Sequence, residues 1–376
     1  MKSSFHKIIL ALLLTPFSAF AEWGLNMTQG VTPISKEIYN MHMVTLWVVT
    51  VIGIVVFSIM FWSIFHHRKS KGAKAAQFSH STTVEIIWTI IPLVIIIALA
   101  IPATQLLIKM DDTSEAKITL KATGIQWKWK YDYIDEGLTI YSVLDENSAE
   151  VSQRNSGKDP MQSENYLLDV DEPIVLPINT KIRILTTAAD VIHAWWVPDL
   201  GWKRDAIPGF INDNWAIIEK VGVYRGQCAE ICGKGHGYMP IVVKAVTMDE
   251  YTAWVNEKKL AQAAMKNTSD MVLTMEELMT KGESIYKAQC LACHQANGEG
   301  IKGVFPALAK SPIAVESGRR LEHIKQIIYG KNLMPAFGEQ LSDVDIAAVT
   351  TYERNAWGND TGDIVQAKEV SESRSK

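Results

Sequence analysis

Two long apolar runs stand near the start of the chain, and after them the hydrophobic pattern changes twice. Residues 43–65 carry no charged side chain. At about 1.5 Å per residue, a helix over them spans about 35 Å, enough for the hydrocarbon core of a bilayer. A second run, Val84–Ile108, is charged only at Glu85. Between them lies a short basic loop, His66–Lys74, with Arg68, Lys69, Lys71 and Lys74. Basic loops stay on the cytoplasmic side, so both outer ends of this hairpin face outward. From about Ala116 the pattern becomes short, alternating and β-branched, as in Lys117–Ala122, Glu172–Ile178, Lys181–Thr186, Trp215–Glu219 and Ile241–Val246. Such strands separated by turns predict an all-β sandwich or barrel.

The third pattern opens at Thr274-Met-Glu-Glu277, a capping box that starts a helix. Ser342–Asn355 reads as a closing helix, and His323 falls on an amphipathic helix as a surface residue. The domains expected are a signal peptide at 1–21, a transmembrane hairpin at 22–110 and a β domain at 111–250. A linker at 251–272, a helical domain at 273–358 and a disordered tail at 359–376 complete the chain. The signal peptide rests on Lys2 and Lys7, the apolar Ile8–Leu14 and Ala19-Phe20-Ala21 as a cleavage site. The linker reads as a helix followed by a flexible joint at 267–270. The polar stretch 145–165 reads as a solvated insertion without a function. A net charge of −4 over 376 residues gives no sign of nucleic-acid binding.

All four cysteines fall in two short motifs, leaving none for a disulfide framework. The first motif is Cys228-Ala-Glu-Ile-Cys232-Gly-Lys-Gly-His236-Gly-Tyr-Met239. Thiolate, imidazole and thioether are soft to borderline ligands that suit copper in electron transfer. One blue-copper ion needs a single Cys, so two thiolates suggest two metals bridged by both sulfurs. That arrangement requires a second imidazole, and His193 stands upstream in Val-Ile-His-Ala-Trp-Trp. A disulfide would leave His236 and Met239 unexplained, and structural zinc rarely takes Met. The second motif, Cys290-Leu-Ala-Cys293-His294, is the c-type haem attachment signature. Met334 downstream suits the second axial position, and Pro306 could accept the other His294 N–H through its carbonyl. A redox dithiol is the alternative for a bare C-x-x-C.

With these residues in place, the chain resembles subunit II of haem-copper cytochrome c oxidases, with a cytochrome c domain fused at the C-terminus. The copper loop matches that family's Cys-x-Glu-x-Cys-x-x-x-His-x-x-Met pattern. The resemblance implies a multidomain membrane protein: a two-helix transmembrane hairpin, a cupredoxin-like all-β Greek-key barrel and an all-α class I-like cytochrome c domain. It implies that Cys228 and Cys232 bridge a binuclear CuA centre. His193 and Met239 then complete one copper, and His236 with the Glu230 carbonyl completes the other. Cys290 and Cys293 would hold haem c, with His294 and Met334 on its iron. Trp127, in Gln126-Trp127-Lys128-Trp129-Lys130-Tyr131, matches an exposed family tryptophan where electrons come in. The family residue after it is more often aromatic than Lys128. Glu85 matches a family acid at the mouth of a proton channel. The Glu230 side chain would help hold magnesium at the interface with subunit I, against which the Asp205 segment would press.

The function implied is that of an electron-accepting subunit of a proton-translocating cytochrome c oxidase. Its partners would be subunit I, subunit III, and cytochrome c or a similar donor. Its place would be the bacterial inner membrane, with both soluble domains on the periplasmic side. The rival is a membrane-tethered copper and haem carrier serving another terminal reductase. A tether of about twenty residues gives millimolar effective concentrations, so the haem domain is expected to need no strong docking interface of its own.

Overall fold

The computed structural model describes residues 26–74, 77, 79–153, 156–265 and 270–374. The expected signal peptide and most of the flexible joint lie outside these residues.

The apolar runs form two helices, α1 (Pro33–His66) and α2 (Thr82–Asp111). Both extend beyond their apolar runs. Thr32 caps α1 and accepts the Ser35 N–H, while Ser35 returns a bond to Thr32 N–H. Pro92 and Pro102 lie inside α2. Both helices are long and apolar enough to cross a membrane. Along their length the large side chains, Trp47, Phe57, Trp62, Trp88 and Ile96 among them, are uncovered by the rest of the chain. In water that would be costly; in lipid it is the expected surface.

The ends of the hairpin are fixed to the next domain. Val31 and Ile34 enter its core. Thr32 Oγ1 donates to the Leu200 carbonyl at 3.0 Å, and Trp215 Nε1 donates to the Lys109 carbonyl at 3.1 Å. Ion pairs Lys36–Glu219 and Lys109–Glu37 brace the junction.

That domain is a sandwich of two five-stranded sheets. Its strands are β1 (Ile118–Ile125), β2 (Lys128–Tyr133), β3 (Leu138–Ser142), β4 (Ile174–Pro177), β5 (Ile182–Ala188), β6 (His193–Trp196), β7 (Lys203–Ala206), β8 (Asn212–Ala216), β9 (Gly222–Cys228) and β10 (Pro240–Val246). One sheet runs β3-β2-β1-β5-β8 and the other β4-β10-β9-β6-β7. Burial alternates strictly along β1 and β5, as period-two side chains on a half-buried sheet require. Leu120, Trp129, Tyr131, Ile184, Trp195 and Val243 fill the space between the sheets. The insertion between β3 and β4 is not wholly solvated. It forms a short helix, α3 (Glu146–Val151), in which Ser148, Ala149 and Val151 are buried.

The segment read as the start of a linker is a helix seated on the sandwich, α4 (Met248–Met265). Tyr251 and Val255 are buried there, and Trp254 lies 5.3 Å from the Tyr133 ring. Lys258–Glu172 and Lys259–Glu136 pairs flank it.

The C-terminal domain is helical: α5 (Met275–Gln289), α6 (Leu291–His294), α7 (Pro312–Val315), α8 (Arg320–Tyr329), α9 (Asp343–Asn355) and α10 (Ala367–Arg374). Capping boxes start α5 at Thr274 and α9 at Ser342. Helices α5 and α9 cross at Gly282, where a Cβ would overlap the Ala348 carbonyl and the Tyr352 Cβ. Only a residue without a side chain allows so close a crossing.

Two expectations are overturned in this domain. His323 is not on the surface: it is 2% exposed, with its Nε2 2.8 Å from Glu353. The tail is not disordered through 374. Val365, Ala367 and Val370 are buried, and Arg374 bonds Asp343 and the Leu341 carbonyl.

Candidate metal and haem centres

The expected copper ligands come together at one end of the second sheet. Adjacent antiparallel strands place Cys228 at the end of β9 and Pro240 at the start of β10, so the loop 228–239 must fold back on itself. His193 opens β6, whose Trp195 pairs with Cys228. The donor atoms of His193, Cys228 and Cys232 all lie within 4.8 Å of one another. The two sulfurs are 3.8 Å apart, too far for a disulfide. His193 Nδ1 is 3.9 Å from Cys228 Sγ, and His236 Nδ1 is 3.5 Å from Cys232 Sγ. Met239 Sδ stands 3.6 Å from Cys232 Sγ, and the Glu230 carbonyl 3.4 Å from Cys228 Sγ. His193, both cysteines and Met239 are buried, and His236 is half-buried.

The thiols share charge. A hydrogen bond from Cys232 draws the Cys228 thiol down to about 3, and the same partnership pushes Cys232 up. The Cys228 sulfur thus faces one imidazole, and the Cys232 sulfur faces the other imidazole and the thioether. Two sulfurs, two imidazoles, one thioether and one carbonyl form a donor set suited to soft metal, and it fits a thiolate-bridged copper pair.

Further bonds fix the ligands. His193 Nε2 is 2.9 Å from Asp190 Oδ1, which leaves Nδ1 on the thiol side. Asp190 Oδ2 accepts the Gln126 backbone N–H at 2.7 Å. Gln126 Nε2 and Trp127 Nε1 both donate to the Cys232 carbonyl, at 2.7 and 3.2 Å. Gly235 lies against the Trp127 indole so closely that a Cβ would overlap the ring. Trp129 Nε1 donates to the Met239 carbonyl at 3.2 Å. Asp190 was missed in the sequence, although a carboxylate three residues before a ligand histidine is a usable signal.

The second centre is a cavity of about 970 Å³. Cys290, Cys293, His294 and Met334 line it, together with Trp127, Lys128 and Tyr238 from the sandwich. Cys290 ends α5, and Cys293 and His294 lie on α6. His294 Nδ1 is 3.0 Å from the Pro306 carbonyl, the expected partner. Gln326 Nε2 is 3.7 Å from Met334 Sδ. Burial pushes the Cys293 thiol up to about 11 and Cys290 well above its ordinary value. The raised thiols do not favour a redox dithiol, which works through a low-pKa thiolate. Two half-buried thiols, an oriented imidazole and a thioether around one large cavity fit a covalently held haem.

Trp127 is half-buried rather than free, because Phe305 of the helical domain meets it edge-on at 5.8 Å. Glu230 and Asp205 are exposed. Glu85 is in the first turn of α2, far along the hairpin from both centres in sequence, and also exposed.

Three family models divide the chain. "Cytochrome C oxidase subunit II, transmembrane domain" matches residues 21–106, and the periplasmic domain of the same subunit matches 118–246. "Cytochrome C oxidase, cbb3-type, subunit III" matches 277–352. The cytochrome c oxidase subunit 2 of Cyanidium caldarium is 40% identical over 245 residues, covering 63% of this chain and 92% of the relative. The chain belongs to the cytochrome c oxidase subunit II family.

A probable subunit 2 from Rickettsia prowazekii is 35% identical over 281 residues, 73% of this chain and 86% of that one. The crystal structure of the periplasmic domain of subunit II from Bradyrhizobium japonicum is 38% identical, covering 40% of this chain and 98% of that one, with a TM-score of 0.35. As a subunit II, the protein is a membrane-anchored component of an oxidase complex, with a copper-type β domain and a fused cytochrome c-type domain. The expected hairpin, β domain and helical domain are all present.

Proposed function

We propose that this subunit II takes electrons from cytochrome c or a similar donor through haem c and passes them by way of CuA to subunit I. The observation that carries this reading is the donor set at 193 and 228–239, already gathered around one point. Copper and haem supply one-electron exchange when bound; the chain supplies the ligands and their orientation. Cys228 and Cys232 would bridge the coppers. His193 with Met239, and His236 with the Glu230 carbonyl, would complete one copper each. Cys290 and Cys293 would anchor the haem by thioethers, with His294 and Met334 as axial ligands. Asp190 and Pro306 orient the two buried imidazoles from behind. Trp127 holds the Cys232 carbonyl and faces the helical domain.

The exposed Glu230 side chain is available to a magnesium ion shared with subunit I, and the exposed Asp205 segment to the same interface. The basic loop between α1 and α2 supports an orientation in a bacterial inner membrane with both soluble domains on the periplasmic side; subunit III would join the same complex. Glu85 on the exposed first turn of α2 would deliver protons to subunit I. Glu85→Gln should then slow turnover while the reduction of haem and copper is unchanged; equal turnover excludes that role.

The test of the whole reading is metal and haem content of the purified complex. Two coppers and one covalent haem c per chain are expected at these sites. Zinc in place of copper, or haem lost on acid–acetone extraction, would overturn it.

A further inference from the structure

The helical domain does not hang from its joint; it is seated on the sandwich. Leu144 and Ala149, from the head of the insertion, belong to the apolar cluster of the helical domain, with Leu278, Leu291 and Phe337. Helix α3 packs against α5 and α6. Its own shape is fixed from the sandwich side: Asp145 caps it by accepting the Ser148 N–H at 2.9 Å, and Ser148 Oγ accepts the Leu167 N–H at 3.1 Å. Leu144, Ala149 and Ser152 also line the haem cavity.

A second patch of contact lies on β2 and β3. Lys130 pairs with Glu339 at 2.8 Å, and Tyr141 donates to the same carboxylate at 3.1 Å. Lys128 Nζ donates to Gln340 Oε1 at 2.6 Å and stands 4.0 Å over the Phe337 ring. Gln340 in turn donates to Gln289 on α5 at 2.6 Å. Between the same two domains, Phe305 meets Trp127 edge-on. Phe305 precedes Pro306, whose carbonyl faces His294. Trp127 donates to the carbonyl of Cys232. A short run of residues therefore connects the haem-ligand histidine to a copper-ligand cysteine, and it crosses between domains at one ring–ring contact.

We propose that the insertion segment 144–152 is a dock for the chain's own haem domain, walling one side of the haem cavity and holding Phe305 against Trp127 so that electrons cross at that contact. The reading rests on the copper and haem assignment above and adds a fixed geometry to it. In place of the expected loose tether, the chain has a weak but specific dock. Because the joint already confines the haem domain at about millimolar effective concentration, a modest interface suffices to keep it seated.

The test uses the complete oxidase carrying Ala149→Arg. Zero-length carbodiimide coupling of Lys130 to Glu339, followed by mass spectrometry, reports the docked state without turnover. Flash reduction of the haem by a soluble ruthenium photoreductant reports the haem-to-copper rate. Ala149→Arg should lower the coupling yield and slow transfer by about tenfold or more, a barrier change of ~1.4 kcal/mol. Phe305→Leu should slow transfer while the coupling yield stays as in the parent. Lys130→Glu should weaken both, and adding Glu339→Lys should restore both, because carbodiimide couples the swapped pair equally well. Unchanged coupling and rate in Ala149→Arg would overturn the dock, and an unchanged rate in Phe305→Leu would overturn the crossing point. Copper and haem are counted in each sample, so wrong cofactor content strikes the underlying assignment and not the dock.

Discussion

The two centres are built in opposite ways. The copper donors come from one twelve-residue loop and one strand start of the same sheet, and they stand together as the bare chain folds. The cavity proposed for haem takes the cysteines, histidine and methionine proposed to hold it from one domain and part of its wall from the other. A metal ion is small and its ligands can be supplied by one hairpin turn. A macrocycle needs large apolar walls, and a helical domain of about a hundred residues has little core to spare for them. Local loop geometry therefore encodes the copper site, whereas the haem site depends on how two domains meet.

The sharpest way to break the comparison is to remove one copper ligand. Cys228→Ser should abolish the spectrum of a mixed-valence copper pair, with covalent haem content unchanged, because neither cysteine expected to attach the haem lies on that loop. Loss of both signals in a folded chain would show that the centres are not separately built. A smaller effect is expected from Gly235→Ala, which forces a methyl into the Trp127 indole. Overpacking of this kind costs about 1–3 kcal/mol. The copper loop should shift, lowering copper retention under chelation, and the haem-to-copper rate should fall with it. Chelation half-life and flash kinetics on the same sample measure both.

The smallest expected effect is a pH dependence of docking. Burial against the helical domain draws the Lys128 ammonium down from its ordinary 10.5 to about 8, and the side chain is only 3% exposed. Undocked, the group returns to water and to its ordinary value. Docking then releases a proton between these two values, so it strengthens as pH rises through that window. It is insensitive to this group below pH 8. The slope is at most about tenfold per pH unit. The haem-to-copper rate should follow that curve wherever docking limits it, and Lys128→Met should flatten it. A curve of the same shape in Lys128→Met would assign the dependence elsewhere.

Much of this was legible from residue types. The proposed copper ligands stand out because soft donors at fixed spacing have few other uses, and Cys290–His294 matches a haem-attachment signature in five residues. The hairpin follows from length and absence of charge. What escaped was burial of polar sequence by distant partners. Residues 365–374 look disordered, yet three small apolar side chains and the pairs Arg374–Asp343 and Arg320–Glu369 seat them on α8 and α9. His323 looks like a surface residue because its partner, Glu353, is thirty positions away. The insertion looks solvated for the same reason: Ala149 packs into the apolar cluster of a domain that begins more than a hundred residues later. Asp190, in contrast, was available, three residues from its histidine.

Asp190 also sets the relation between two things that differ in kind. One of its oxygens holds the ring of a copper ligand, and the other holds the backbone just before Trp127. The imidazole and the indole are therefore hung from one carboxylate, a few ångströms across. Thermal motion that displaces this carboxylate carries both along in step. The separation between metal ligand and aromatic ring then stays nearly constant while the absolute position of each wanders, as two lamps on one bracket keep their spacing when the wall shakes.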